Sequence, residues 1–382
     1  MKIYVAPDKF KGTISAYTAA DTIAKVVKKA FPAYEVISAP MADGGEGTAA
    51  IAAKFLNMKP CVIDATDSLG RPCQAQYFVN EFTREAFVDC STVSGLALIA
   101  PEDRRPMEGS TYSLGVLINN ILDSGVTKLN IGIGGSATSD GGAGMLQALG
   151  VKFIDINGKE MQQHVAPQDL SSIAGIDVSA VNFDLLQRSL VVLSDVDVPM
   201  VSDKDEVTTL TFAPQKGFIG EALTQLVIGL RNWRNVAIAA LPDHGDEHYA
   251  GAAGGLGFAF GRVLGVPVQS GAEYMVNLYD LVNSETAMII TGEGSIDDQT
   301  MCGKVVGEIM TQATKVGVPV IAIGGRVTDG FTDHDAFAAV LATTDHLPDE
   351  PLTPEVAQRR LHLTAHSCVP AISSALSLRV LL

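Results

Sequence analysis

The sequence predicts an α/β protein of two domains, a doubly wound parallel-sheet domain carrying both ends of the chain and a more antiparallel domain inserted into it. Three observations predict this. Strand and helix signals alternate over the first sixty residues and again after about residue 250, and alternating elements joined by short loops imply a parallel sheet covered on both faces. From Cys61 the pattern changes to consecutive short strands with turn residues between them, which reads as a meander. The length of 382 residues fits two domains at roughly 100 to 200 residues each. The expected boundaries are 1–62 plus 250–382 for the first domain and 63–249 for the insertion.

Residues 3–6 form an apolar run ended by Pro7, and Ser15 can cap the helix that follows. In that helix Ile23, Val26, Val27 and Ala30 fall on one face, with Lys28 and Lys29 in the last turn and Pro32 beyond it. A second strand covers 35–39. In the insertion, CVIDAT, CQAQYFV and EAFVD are strands, with the turn DSLGRP after the first. They are followed by a helix over 110–122, apolar strands at 128–133 and 190–193, and a helix at 219–233. After 250 come a glycine-rich helix start, a helix at 272–282, a strand at 287–291 and a helix at 305–315. Strands at 318–323 and 338–342, an exposed loop at 348–354 and a terminal helix from about Thr353 complete the pattern.

The chain has 27 basic and 43 acidic residues, a formal charge of −16. Such a surface repels phosphate backbones and anionic lipid, so neither nucleic acid nor membrane is expected as a partner. Apolar residues make up 47% and charged ones 18%, which excludes intrinsic disorder. No apolar stretch reaches the roughly 18 residues of a membrane span, and no secretion signal is visible at the N-terminus. Cys61, Cys73, Cys90, Cys302 and Cys368 form no Cys-x-x-Cys pair, so a reducing cytoplasm with free thiols is expected. His244/His248 and His362/His366 are each four apart, but neither pair has the helix pattern or third ligand of a zinc site.

Glycine, at 37 residues, is over-used, and it is clustered: MADGGEGT, GIGGSATSDGGAG, AGAAGGLG and TGEG. The second cluster follows a buried strand and opens a helix pattern. Glycine lets backbone N–H groups approach a phosphate, and a helix N-terminus adds partial positive charge. A tight strand-to-helix turn would also require glycine. No G-x-x-x-x-G-K-[ST] and no G-x-G-x-x-G is present, so a P-loop and a dinucleotide fold lose ground.

In SDVDVP, Asp195 and Asp197 stand two apart at a strand end, a pattern suited to Mg²⁺ bridged to phosphates, although solvated turn carboxylates fit too. TGEGSIDDQT also ends a strand and offers Glu293, Asp297, Asp298, Gln299 and Thr300 before a helix with Lys304. One of these acids can be a helix cap. Cations near the loops are Lys9, Lys11, Lys216, Lys304 and Arg326.

Taken together and in order, APDKFKGT, PMADGGEGT, GIGGSATSDGGAGMLQALG, SDVDVP, FAPQKG, AGAAGGLG and TGEGSIDDQT resemble the bacterial type I glycerate kinases, the glycerate 2-kinase family. The resemblance implies a flavodoxin-like domain with an inserted swivelling β/β/α domain, cytoplasmic, phosphorylating D-glycerate with ATP and Mg²⁺ to 2-phosphoglycerate in glycerate/glyoxylate-type catabolism. It carries over Asp8 and Lys11; Asp43, Gly44, Gly45 and Glu46; and Gly134, Gly135, Ser136, Gly141 and Gly142. It also carries over Asp195 and Asp197, Gln215 and Lys216, and Glu293, Asp297, Gln299, Thr300 and Lys304. The chain departs from the family pattern at Lys9, Ser139, Val198, Ser295 and Asp298.

The implied mechanism is γ-phosphoryl transfer across the interdomain cleft. In it the loop Gly134 to Gly142 holds phosphates through N–H groups, Asp195 and Asp197 bind Mg²⁺, and Lys11 or Lys216 neutralises anionic oxygens. Asp297 or Asp43 accepts the hydroxyl proton. The alternatives are a non-catalytic sensor of a small hydroxy acid and an oxidoreductase on a doubly wound fold. Neither the hydroxyl phosphorylated nor the oligomeric state is readable from the residues.

Overall fold

The computed structural model describes residues 1–201, 208–242, 247–301, 303–346 and 350–379. The chain divides into two compact units, Met1–Asp43 with Ala272–Leu382, and Gly44–Gly271. The divide falls outside the expected breaks at 62 and 250. Helix Thr48–Phe55 packs on strands of the second unit, and strand Val268–Ser270 pairs with Leu190–Ser194.

The first unit holds a five-stranded, wholly parallel sheet in the order Ala339–Ala342, Val320–Val327, Thr286–Ile296, Lys2–Pro7, Glu35–Ser38. Counted within the unit, this is the order 2-1-3-4-5 of flavodoxin-like sheets, whose ligand crevice opens where the winding reverses, beyond the strand ends. Ile3, Val5, Ile321 and Ile323 share one core with Ile23, Val27 and Leu361 of helices Ala16–Ala30 and Pro354–Ser367. The helix Val305–Lys315 packs on Thr286–Ile296 and Val320–Val327. Ser15 caps the first helix by accepting the Thr18 N–H at 3.1 Å. The expected helix 272–282 stops at Leu278, where Asp280 turns left-handed and Asn283 bonds its carbonyl. The strand expected to end at 291 runs on to Ile296. Val320–Val327 stays paired alongside it, and a Cβ at Gly292 would lie 2.2 Å from the Ile323 carbonyl oxygen.

The second unit is less antiparallel than its opening suggests. Lys59–Thr66, Pro72–Asn80 and Glu85–Asp89 form the expected meander. The sheet then continues in parallel through Lys128–Gly132, Leu190–Ser194 and Val268–Ser270. A separate antiparallel pair, Lys152–Asp155 with Ile173–Asp177, carries no signal strong enough to be read from sequence. Helix Gly220–Ala240 runs beyond the expected 233 and buries Trp233 completely. AGAAGGLG forms short tight turns, not the start of a long helix, because Ala253, Gly254 and Gly255 are left-handed.

Cys61, Cys73, Cys90 and Cys368 are free thiols. His244, Cys302 and Pro348 lie outside the described residues. Among the described residues no helix is long and apolar enough to cross a membrane.

Candidate active site

In the first unit, the chain leaves strand Lys2–Pro7 at Asp8, whose N–H donates to the Gly292 carbonyl at 2.9 Å. This fixes the Asp8 carboxyl at the winding reversal, 9% exposed, accepting the Lys9 N–H at 2.6 Å. Burial, and then the negative charge of Asp43, push its pKa up to about 8, with Lys9 opposing and Glu293 adding to the rise. Glu293 is also raised, chiefly by burial. Its Oε1 is buried without a partner, and Oε2 lies 3.8 Å from Lys304 Nζ. Asp8, Asp43 and Glu293 therefore form a mutually repelling carboxylate group, with Lys9 and Lys304 beside it.

Asp297 is engaged in its own turn. It accepts from Gln299 N at 3.0 Å and Ser295 Oγ at 3.3 Å, its N–H donates to Thr300 Oγ1 at 3.0 Å, and Lys304 stands 3.9 Å away. Part of the acidic run is thus a turn scaffold, as the capping reading anticipates. Thr300 is fully buried, and Gln299 and Lys11 are exposed.

The raised Asp8 carboxyl makes a pH prediction. A carboxyl raised by folding favours the folded unit while it is neutral. That contribution is full below the ordinary value of 3.8 and is lost as pH rises through about 8. Asp8→Asn, neutral at every pH, is expected to melt above the parent near pH ~9, the difference closing toward pH ~4. Thermal melts at both pH values check this, and a difference independent of pH contradicts it.

In the second unit, the loop after strand Lys128–Gly132 is drawn inward by Asp140. This fully buried carboxylate accepts from Thr111 N, Thr111 Oγ1, Gly142 N and Gly144 N at 2.7–3.1 Å. Gly134 N donates to Gly44 O, and Gly141 N to Gly254 O. Hence the expected phosphate donors Gly134, Gly141 and Gly142 already have acceptors within the unit. Among the described residues, the N–H groups of Gly135 and Ser136 remain without one. Their neighbours need glycine for packing: a Cβ at Gly142 would lie 2.3 Å from Ala259 Cβ, and one at Gly254 would lie 2.1 Å from Thr138 O. AGAAGGLG thus packs backbone to backbone against the longer glycine loop.

Gly44 is left-handed at φ +100°, where a Cβ would meet the Ser194 backbone at 2.8 Å. Asp89 holds the turn after it, accepting from Gly47 N at 2.9 Å and Ala49 N at 3.0 Å. A Cβ at Gly134 would fall 2.5 Å from Gly45 Cα and 2.8 Å from Asp195 Oδ2, and one at Gly135 3.3 Å from Glu46 Cβ. Gly44, Gly45, Glu46, Gly134, Gly135 and Asp195 are therefore one neighbourhood. Asp197, beyond the strand end, faces elsewhere: its carboxylate lies 3.1 Å from His248 Nδ1 and accepts the Tyr249 N–H. Asp195 offers the hard oxygen donors that Mg²⁺ takes, with glycine backbone leaving room beside it. Among the described residues no three His, Cys, Asp or Glu side chains gather as a ligand set, so phosphate or water oxygens would complete the coordination.

Lys216 is 4% exposed, and its Nζ donates to Thr138 O at 2.5 Å. Burial pushes its pKa down to about 8. It thus reaches the glycine loop from within, while Gln215 is exposed and offers its carbonyl to Arg104. Asp89, Thr111 and Asp140, which hold the loops, and Arg104 were missed by the sequence reading. Only Asp140 carried a sequence signal, its place amid the glycines.

The sequence profile described as the Glycerate kinase family matches residues 3–372. The chain is 38% identical over 334 residues to the glycerate 2-kinase of Escherichia coli (strain K12), covering 86% of each. It is 37% identical over 331 residues to the glycerate kinase of Bacillus subtilis (strain 168), again 86% of each. A crystal structure assigned to glycerate kinase 2 of Salmonella typhimurium LT2 superposes with a TM-score of 0.79 at 32% identity, covering 98% of both chains. A carboxylate group at the winding reversal of a 2-1-3-4-5 sheet, a glycine loop beside Asp195 and a profile spanning both units lead to one conclusion: the chain belongs to the glycerate kinase family.

Proposed function

We propose that this protein transfers the γ-phosphoryl group of ATP to D-glycerate, giving 2-phosphoglycerate. The observation that carries this reading is the match to the Glycerate kinase family over residues 3–372, which takes in every candidate residue named above. The printed name of the Escherichia coli relative supports the 2-position.

In phosphoryl transfer the protein acts by positioning and by offsetting charge on the phosphoryl oxygens. Bound Mg²⁺ supplies part of that offset, held at Asp195. Gly135 and Ser136 donate N–H groups to phosphate oxygens, and Lys216 holds the loop that presents them. In the first unit, burial, and then the negative charge of Asp43, hold the Asp8 carboxyl neutral near pH 7, and another carboxylate of the group is left to take the hydroxyl proton. Lys304 limits the repulsion.

The test is to incubate the protein with Mg-ATP and D-glycerate, follow ADP release and separate the products by phosphorus NMR. The 2-phosphoglycerate signal is expected. The 3-isomer would overturn the regiochemistry alone, and ligand-induced stabilisation without ADP release would replace the enzyme with a sensor.

A further inference from the structure

Beside the glycine loop, the second unit has a small recess, open to solvent. Ser68, Leu69, Arg104, Arg105, Ala137 and Lys216 are among its lining residues. Ala137 belongs to the glycine loop, so the recess borders that loop on the side from which Lys216 enters.

The charges in and around the recess do not balance. Three carboxylates of the surrounding loops already have cations: Asp67 takes Arg71 Nε at 2.7 Å, Asp103 lies 3.7 Å from Arg71, and Glu108 lies 3.6 Å from Arg105. Among the described residues, neither Arg104 nor Lys216 has a carboxylate within ion-pair distance. An arginine stays charged at every working pH, so burying part of it without an anion is costly. Arg104 Nη1 donates to Gln215 O at 3.0 Å, while Nε is buried with no partner. That division leaves the Nε–Nη2 edge, the two parallel donors that grip a planar oxyanion.

The loop is prepared for this role. Pro101 opens a helical turn just before Arg104, and Pro106 follows two residues later. Arg104 Cβ packs 3.7 Å from where Gly217 would carry a Cβ, next to Lys216 in the chain. Two cations from segments far apart in sequence thus meet at one small recess, with one orphaned donor edge.

We infer that this recess is the subsite for the carboxylate of the acceptor, and that Arg104 is a specificity-determining residue gripping it through Nε and Nη2, with Lys216 behind. This inference rests on the proposed kinase reading, because it assigns the carboxylate to that reaction's hydroxy acid. A nucleotide phosphate is the other oxyanion of the same chemistry, and the test separates the two.

Arg104→Ala and Arg104→Lys are made, and their folding is checked by circular dichroism. The lysine variant keeps the charge and loses the fork, so it stays informative if the alanine variant is unstable. Arg104→Ala is expected to raise KM for D-glycerate roughly 10- to 100-fold with KM for ATP unchanged, and Arg104→Lys to fall between it and the parent. Binding is read separately, without turnover, from melting shifts with D-glycerate, L-lactate and inorganic phosphate. The parent is expected to be stabilised by the carboxylates and Arg104→Ala not. An unchanged KM for D-glycerate, or a rise in KM for ATP instead, overturns the subsite while the kinase reading stands. A parent that binds the carboxylates through Arg104 but never releases ADP overturns the kinase reading and keeps the subsite. A parent that neither binds nor phosphorylates D-glycerate overturns both.

Discussion

Asp195→Asn will lower kcat for ATP-dependent glycerate phosphorylation by about 100-fold or more while leaving the fold intact, since it weakens the hold on the Mg²⁺ that would offset transition-state charge, and losing one such offset costs roughly that much. The substitution is close to isosteric, so packing beside Gly45 and Gly134 is kept and only the charge is lost. Asp197 is the internal comparison, for it faces His248 and Tyr249 and is nearly half exposed. Asp197→Asn is expected to cost much less. Initial rates over a Mg²⁺ titration, with circular dichroism to check folding, decide the matter. Near-parental kcat in Asp195→Asn would remove the residue from the catalytic group.

Gly141→Ala will destabilise the second unit by about 2–5 kcal/mol. Gly141 is left-handed at φ +63°, and a Cβ there would sit 2.5 Å from Trp233 Cδ1. The left-handed backbone costs an L-residue about 1–2 kcal/mol, and overpacking a rigid ring adds about 1–3. The indole also donates Nε1–H to Gly141 O at 3.0 Å, so displacing the ring loses that bond as well. Trp233 is the single tryptophan of the chain and fully buried, so its fluorescence during denaturant unfolding reports this unit selectively. Gly158→Ala provides the control: its φ is +75°, with nothing within 4 Å of the added methyl. It isolates the backbone term, and equal losses in the two variants would refute the packing argument.

The sheet of the first unit was legible because its strands are apolar runs between amphipathic helices, a local pattern. Asp8 and Asp43 follow from it, since each lies just past a strand, whereas Glu293 sits inside a strand that runs on to Ile296. What could not be read depends on partners distant in sequence. Whether an N–H in the glycine loop is open to a ligand depends on Gly44 and Gly254, and these engage Gly134 and Gly141. Asp195 and Asp197 look alike in sequence, yet one faces the glycine backbone and the other a histidine more than fifty residues on. Nothing in the sequence marked Arg104, whose loop meets Gln215, 111 positions away. In the second sheet the strands at 128–133 and 190–193 were read, but their parallel pairing and the strand Val268–Ser270 were missed, because these strands return only after long excursions that local periodicity does not register.

An interior strand of the first sheet, Lys2–Pro7, pairs with Glu35–Ser38 on one side and Thr286–Ile296 on the other. During synthesis its second neighbour does not exist until residue 286 has been made, and at ~5–20 residues per second that delay runs to tens of seconds. Through that interval the ribosome carries an apolar strand with one edge open, the kind of edge that invites wrong pairing. The contiguous second unit, Gly44–Gly271, is complete shortly before then. Vectorial synthesis therefore favours the insertion folding first, with its host waiting for the last third of the chain to close the sheet.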